Sequence, residues 1–290
     1  MEFTVPSPSR LDAFLASAMA DTSRVRVQKM IADGAVRVNG KAVRKVAQPV
    51  RAGDRIAIAD SPRPAPPALM TSYGRDDAWV RILYEDRSCL VIFKPAGTVV
   101  TDLEAPNRLL AHRLDKDTTG CLLLARDAQA LAFLQRQFRE RTISKTYLAL
   151  VAGIPDPPKA LIDAPIGRNL VNRTRMSVLA TRVSRTSQTA YRTMAAAADC
   201  ALLACDLLTG RTHQVRVHLS AIGHPVLGDP TYGTAESGRV SDKYGIGGIC
   251  LHAWELAFVS PQSRENVAVR ADPLPAFRSA LAACHMEIPA

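Results

Sequence analysis

The hydrophobic positions of the first sixty residues follow a helical spacing and then a strand spacing. One apolar helix face is indicated in residues 11–18 and another in 27–31, after a Thr22-Ser23 pair suited to cap a helix. Residues 35–43 then alternate around Asn39-Gly40, and this dipeptide is a strong signal for a tight hairpin. The pattern predicts two short helices followed by a small antiparallel sheet.

Beyond residue 79 the apolar runs are mostly of strand length. The runs that fit buried strands are 80–83, 90–93, 122–125, 147–151, 201–208 and 215–219. One helix is expected after Asp127, a capping residue, because Leu131, Leu134 and Phe138 then share one face. These runs predict an α+β domain, but periodicity alone does not give the order of its strands.

A proline-rich segment separates the two patterns. Residues 62–67 contain four prolines, which remove backbone donors and favour an extended, stiff spacer. The sequence therefore predicts a small domain over residues 1–60, a linker over 61–78 and a large domain over 79–290.

Composition adds an electrostatic constraint. The 290 residues include 37 Lys and Arg against 27 Asp and Glu, for a net charge of +10, and such a balance suits a polyanionic partner. No run approaches the ~20 apolar residues of a transmembrane helix, and the N-terminus lacks a signal-peptide pattern. We expect a cytoplasmic protein without membrane association, and a monomer.

The cysteines and histidines do not suggest a metal or redox site. Six cysteines are scattered among apolar residues without a Cys-x-x-Cys pair, and His213 and His218 are spaced for neither one strand face nor one helix face. We interpret the cysteines as small core residues and expect no disulfide framework, no metal and no cofactor.

The densest candidate chemistry lies in residues 112–120, His-Arg-Leu-Asp-Lys-Asp-Thr-Thr-Gly. Charged and turn-forming residues there directly precede the apolar run 121–125. This arrangement predicts that Asp115 lies on a loop fixed at the edge of the core.

That segment resembles the catalytic signature of the RluA-type RNA pseudouridine synthases. Further segments are similar to the same family, in family order: 83–86, 93–97, 144–151, 208–219, 223–233 and 251–253. The resemblance implies a mostly antiparallel sheet crossed by an active cleft. It also implies an isomerase that converts uridine to pseudouridine in RNA.

The resemblance assigns roles to four residues. It makes Asp115 the essential carboxylate, acting either as a nucleophile at the ribose or as a base toward its 2′ proton. Tyr147 would stack on the uracil and assist at carbon 5, and Arg211 would pair with Asp115. Arg113 would fill the space that the flipped uridine leaves.

Residues 9–58 resemble an S4-type RNA-binding domain, through the segments 9–12, 23–34, 36–41 and 53–54. This resemblance favours large-subunit ribosomal RNA over transfer RNA as the substrate. The predicted RNA-binding cations of this domain are Arg24, Arg26, Lys29, Arg37 and Lys41.

Two other functions remain open on the residues alone. The chain could modify transfer RNA, or it could be a non-catalytic RNA-binding factor in ribosome assembly. A methyltransferase is disfavoured, because Gly245-Ile246-Gly247-Gly248 does not follow a predicted strand. The segment 98–111 is shorter than the family pattern, so substrate contacts from it are not expected to carry over.

Overall fold

The computed structural model describes residues 2–19, 24–32, 34–58, 81–105, 107–179 and 181–289. The side chains of Arg24, Val25, Arg26, Lys29 and Arg182 lie outside the description. The chain folds as two compact units, one within residues 1–70 and one within 71–290. The predicted linker and the Thr22-Ser23 cap lie outside the described residues.

The N-terminal unit combines two helices with a small sheet. Its elements are β1 (Glu2–Thr4), β2 (Ser9–Arg10), α1 (Leu11–Ala18), α2 (Arg24–Ala32), β3 (Val36–Val38), β4 (Lys41–Val43), β5 (Pro49–Val50) and β6 (Arg55–Ile58). Four strands form an antiparallel sheet in the order β1-β6-β3-β4, and β2 pairs with β5.

Local sequence signals account for much of this unit. The two predicted helices are present, and Leu11, Leu15, Val27 and Ile31 on their apolar faces are buried. Asn39 and Gly40 have φ angles of 50° and 80°, the left-handed pair that a tight two-residue hairpin requires. The predicted hairpin between β3 and β4 is therefore confirmed.

The larger unit contains most of the strands. Its elements are β7 (Arg81–Glu85), β8 (Cys89–Lys94), a 3₁₀ turn (Val100–Leu103), β9 (Leu109–Leu110), β10 (Thr119–Ala125), α3 (Ala128–Glu140), β11 (Ser144–Ala152), β12 (Lys159–Asp163), β13 (Ile166–Asn169), β14 (Met176–Ser177), β15 (Thr181–Arg185), β16 (Gln188–Ala196), β17 (Cys200–Leu207), α4 (Gln214–Ala221), α5 (Ala235–Lys243), β18 (Leu251–Val259), β19 (Asn266–Arg270) and α6 (Pro275–Ala283).

A ten-stranded sheet dominates this unit. Eight strands follow the order β12-β16-β17-β11-β18-β10-β8-β7, with β19 paired to β18 and β9 to β10. All pairings are antiparallel except that of β10 with β18. A separate three-stranded sheet has the order β14-β13-β15. The predicted α+β, mostly antiparallel architecture is confirmed.

The central strands are buried on both faces. Residues 148–151 of β11 and 201–205 of β17 are almost completely excluded from solvent, and α3 packs against β10. Asp127 caps α3 as predicted, because its carboxylate accepts the Ala130 amide. All six cysteines are buried and free. Among the described residues, no helix is both long and apolar enough to cross a membrane.

One predicted strand is wrong. Residues 215–219 belong to helix α4, and every side chain from Gln214 to Leu219 is buried. A helix that is buried all round shows no polar face, so its sequence does not display the 3.6-residue period. The alternation of valines with Arg216 and His218 imitates a strand instead.

Candidate active site

A cleft of about 480 Å³ opens in the larger unit, within the size range of ligand pockets. The 112–118 loop, the start of β11 and the turn before α4 line it. Asp115 is the one acidic residue among the described residues that line the cleft, and the cations there are Arg113, Arg139, Arg141, Lys145 and Arg211. The cleft is therefore cationic around a single carboxylate.

The loop that carries Asp115 is tied to the core on both sides. The Leu123 amide donates to His112 Nε2 at 3.0 Å, and the Lys94 ammonium donates to the Lys116 carbonyl at 2.7 Å. Burial and the positive charge of Lys145 lower the pKa of His112 to about 3, so the imidazole stays neutral and can accept. These bonds fix the position of Asp115 without using its carboxylate.

Gly120 fixes where the loop enters β10. Its φ is 112°, and a Cβ atom at this position would lie 2.1 Å from the Ala253 carbonyl oxygen of β18. A side chain would push these parallel strands apart. Glycine is thus required for the tight junction that the sequence predicted after Asp115.

A buried arginine approaches the Asp115 carboxylate. Arg216, on α4, donates through Nε and Nη2 to both carboxylate oxygens of Asp229, at 2.7 and 2.8 Å. Its Nη1 lies 3.5 Å from Asp115 Oδ2. Burial acts to lower the pKa of Arg216, but the hydrogen bonds and charge of Asp229 outweigh it and raise that pKa. Asp229 therefore fixes a permanent positive charge beside Asp115.

The predicted ion pair between Arg211 and Asp115 is wrong. Arg211 lines the cleft, but its Nε donates to the Thr186 carbonyl at 3.2 Å, while Arg216 makes the ion pair. Arg211 precedes α4 in a turn, whereas Arg216 projects from the buried helix. Sequence reasoning missed Arg216 because it interpreted residues 215–219 as a strand, and it missed Asp229 because the partner of that carboxylate lies 13 positions away. The charged Arg216 between two valines was the available signal.

The turn before α4 is held by one amide side chain. Gln214 accepts from the Thr209 hydroxyl at 2.7 Å and from the Arg211 amide at 3.0 Å. It also donates to the Gln188 carbonyl of β16 at 3.0 Å. These bonds anchor the beginning of α4 to the sheet. Arg216 lies half a turn further along the helix, so the same bonds help to hold it in place.

Tyr147 reaches the cleft from β11 and is 7% exposed. Its hydroxyl makes no hydrogen bond to another described residue. Burial, and then the negative charge of Asp115, raise the pKa of Tyr147, so its phenol stays protonated at neutral pH. The ring thus offers an apolar face and a hydroxyl donor inside the cleft.

The predicted RNA-binding cations are in different situations. Arg113 is exposed where it lines the cleft. Arg37 and Lys41 are exposed on the β3–β4 hairpin. Lys41 pairs with Val38, the residue after Arg37, so the side chains of Arg37 and Lys41 leave the sheet on opposite faces. The side chains of Arg24, Arg26 and Lys29 lie outside the described residues. Within the described part of the chain, no cluster of His, Cys, Asp and Glu could hold a metal ion.

Comparison with known proteins matches both units to families. Residues 9–56 match the S4 domain, and residues 99–221 match the RNA pseudouridylate synthase family. The ribosomal large subunit pseudouridine synthase D of Nitrosomonas europaea is 36% identical, over 97% of this chain and 86% of that protein. The synthase C of Vibrio cholerae is 34% identical, over 90% and 89%.

A solved human structure agrees with these sequence relatives. RNA Pseudouridylate Synthase Domain Containing 1 is 30% identical and superposes with a TM-score of 0.60, covering 69% of this chain and 87% of its own. The cleft, its single carboxylate and the relatives lead to one assignment. The chain belongs to the RluA-type family of RNA pseudouridine synthases, which are isomerases that act on RNA.

Proposed function

We propose that this protein isomerises uridines of large-subunit ribosomal RNA and that Asp115 is the carboxylate acting at the ribose. The observation that carries the role of Asp115 is its position as the cleft's one described acid, beside the fixed guanidinium of Arg216. The names of two relatives, ribosomal large subunit pseudouridine synthases D and C, support the substrate.

The reaction needs a charged carboxylate held against the sugar. The bond between C1′ and N1 breaks, its electron pair stays on the uracil, and the ring rejoins C1′ through carbon 5. Asp115 either attacks C1′ or removes the 2′ proton, and both paths require its ionised form. Arg216 orients the carboxylate, because its guanidinium Nη1 lies 3.5 Å from Asp115 Oδ2.

The other side chains of the cleft would hold the uridine. Tyr147 stacks on the uracil and offers its protonated hydroxyl, which makes it a better donor than base. Arg113, exposed at the cleft, stacks in the space that the flipped base vacates. Arg211 keeps two terminal nitrogens available at the cleft, and we assign it to RNA contact, not to Asp115.

The N-terminal unit would supply further phosphate contacts. The proposed groups are the exposed Arg37 and Lys41 of the hairpin, together with Arg24, Arg26 and Lys29 of α2. Such contacts raise affinity without dependence on base sequence, so they leave the choice of uridine to the larger unit.

Chemical mapping of pseudouridine tests this function. RNA would be taken from cells that lack the protein and from the same cells given wild type or Asp115→Asn. We expect at least one large-subunit pseudouridine to vanish on deletion and to return only with wild type. A loss of pseudouridine confined to transfer RNA would show that transfer RNA, not ribosomal RNA, is the substrate. Full restoration of pseudouridine by Asp115→Asn would show that Asp115 takes no part in the chemistry.

A further inference from the structure

Two lysines of the larger unit, the buried Lys94 and the half-buried Lys145, use their ammonium groups differently. Lys94 is fully buried, and its Nζ donates to the carbonyl oxygens of Pro95, Thr98 and Lys116 at 2.7, 3.0 and 2.7 Å. An ammonium has three donors, so Lys94 is saturated. It is a structural brace between the turn after β8 and the Asp115 loop.

Lys145 is not saturated. Among the described residues its Nζ donates only to the Thr209 carbonyl, at 3.3 Å, and it lies 5.8 Å from the centre of the Phe138 ring. It makes no ion pair with a described residue, and burial alone lowers its pKa to about 8. A half-buried cation thus lines the cleft with two donors unused by the described residues. Such an arrangement costs free energy unless a ligand supplies acceptors.

The position of Lys145 indicates which acceptors these are. Lys145 and Tyr147 are two residues apart on β11 and both line the cleft, a separation of about 7 Å along a strand. A uracil stacked on Tyr147 would present its edge within reach of a lysine side chain. The exposed Arg139 and Arg141 are better placed for phosphates, because they carry their charges into solvent at the same cleft.

We propose that Lys145 donates to a carbonyl oxygen of the flipped uracil and stabilises the uracil as a leaving group. This inference rests on the proposed function. When the bond between C1′ and N1 breaks, the uracil keeps the electron pair, and its negative charge spreads over N1 and the carbonyl oxygens. Carbon 5 then bonds to C1′ and loses its proton, while N1 gains one. A cation at a carbonyl oxygen stabilises the charged stage more than the neutral uridine.

Lys145→Met in the full-length protein removes the charge and donors at similar length. We expect its single-turnover rate at saturating ribosomal RNA to fall about 100-fold, as for loss of one preorganised donor. RNA affinity and its salt dependence should stay near wild type. Lys145→Arg, which keeps a charged donor, should recover part of the rate. Lys159→Met removes one exposed lysine from β12 and is the matched control.

Other outcomes of this experiment would overturn the inference or contradict the proposed function. An unchanged saturating rate with weaker binding, and a log-log salt slope lower by about one unit, would make Lys145 a phosphate contact and overturn the inference. No change in rate or binding would overturn it as well. If Lys145→Met fails to fold, the rates of Lys145→Arg and Lys145→Gln are compared instead. The inference predicts a faster saturating rate for Lys145→Arg, because that variant keeps a positive charge. Wild type that forms no pseudouridine would instead contradict the proposed function.

Discussion

Asp115 and the two buried residues of its ion-pair chain, Arg216 and Asp229, which we call the inner wall, differ from the rim of the cleft, Arg113 and Arg211, in how charge is held. On the inner wall the three side chains form a continuous set of ion pairs between groups that are at most 16% exposed. At the rim neither arginine makes an ion pair with a described residue. A rigid, preorganised group for chemistry is thus separate from adaptable cations that suit a flexible polyanion.

The largest expected difference between wall and rim comes from paired substitutions of the two arginines. Arg216→Met leaves Asp115 without a counter-charge and Asp229 buried and unpaired. We expect the single-turnover rate at saturating RNA to fall about 1000-fold. Arg211→Met should mainly weaken RNA binding, with a log-log salt slope lower by about one unit. Equal loss of saturating rate in both variants would contradict the separation.

A smaller effect on the rate is expected from a substitution of Asp229. Asp229→Asn loses one acceptor of the two-point contact with Arg216, so the guanidinium is less firmly directed at Asp115. We predict a fall of about 10-fold to 100-fold in rate at unchanged RNA affinity. Asp199→Asn, which breaks a surface pair with Lys243, is the matched control. A normal rate for Asp229→Asn would show that Arg216 is positioned by its helix alone.

The dependence of the saturating rate on pH tests the charge of Lys145. Burial lowers the pKa of Lys145 to about 8, so its charge is present below that pH and is lost as pH rises through it. The saturating rate should therefore fall several-fold above about pH 8 in wild type, and this fall should disappear in Lys145→Arg. The titratable and charged groups that line the same cleft are His112, Arg113, Asp115, Arg139, Arg141, Tyr147, Arg211 and His213.

The neighbours that titrate do not produce the same signal. The pKa of Tyr147 is raised and that of His213 is lowered, both first by burial, which moves each away from pH 8. Lys94, whose pKa burial lowers to about 8, is the remaining candidate. A fall that persists in Lys145→Arg would assign the titration to Lys94 and its support of the Asp115 loop.

The smallest effect on the rate is expected for substitutions in the N-terminal hairpin. Arg37→Ala with Lys41→Ala removes two exposed cations. If both contact phosphates, the log-log salt slope of RNA binding should drop by about two units, with no change in saturating rate. An unchanged slope would show that this hairpin is a solvated surface. Far-ultraviolet circular dichroism of the variant checks that the sheet is retained.

Features set by neighbouring residues were predictable from the sequence. The Asn39-Gly40 hairpin and the Asp127 cap each depend on a residue's own conformational freedom or on a bond a few residues away. Asp115 and Tyr147 were found through family resemblance, and both lie in the cleft. Their catalytic roles remain predictions.

Features set by tertiary contacts were not predictable. Helix α4 has no polar face because it is buried all round, and its sequence therefore imitates a strand. The pairing of Arg216 with Asp115 joins residues 101 positions apart, so no local spacing indicates it. The contrast between saturated Lys94 and unsaturated Lys145 depends on which carbonyl groups the fold brings to each ammonium.

We propose that Asp115, held by Arg216 and Asp229, acts on the ribose, while the rim cations Arg113 and Arg211 bind the RNA. The most direct test measures equilibrium RNA affinity and saturating single-turnover rate together for Asp115→Asn, which keeps the side-chain size but cannot ionise. We expect an affinity near wild type and a rate lower by at least about 1000-fold. Turnover at more than a few per cent of wild type, or a loss of affinity that accounts for the loss of rate, would contradict it.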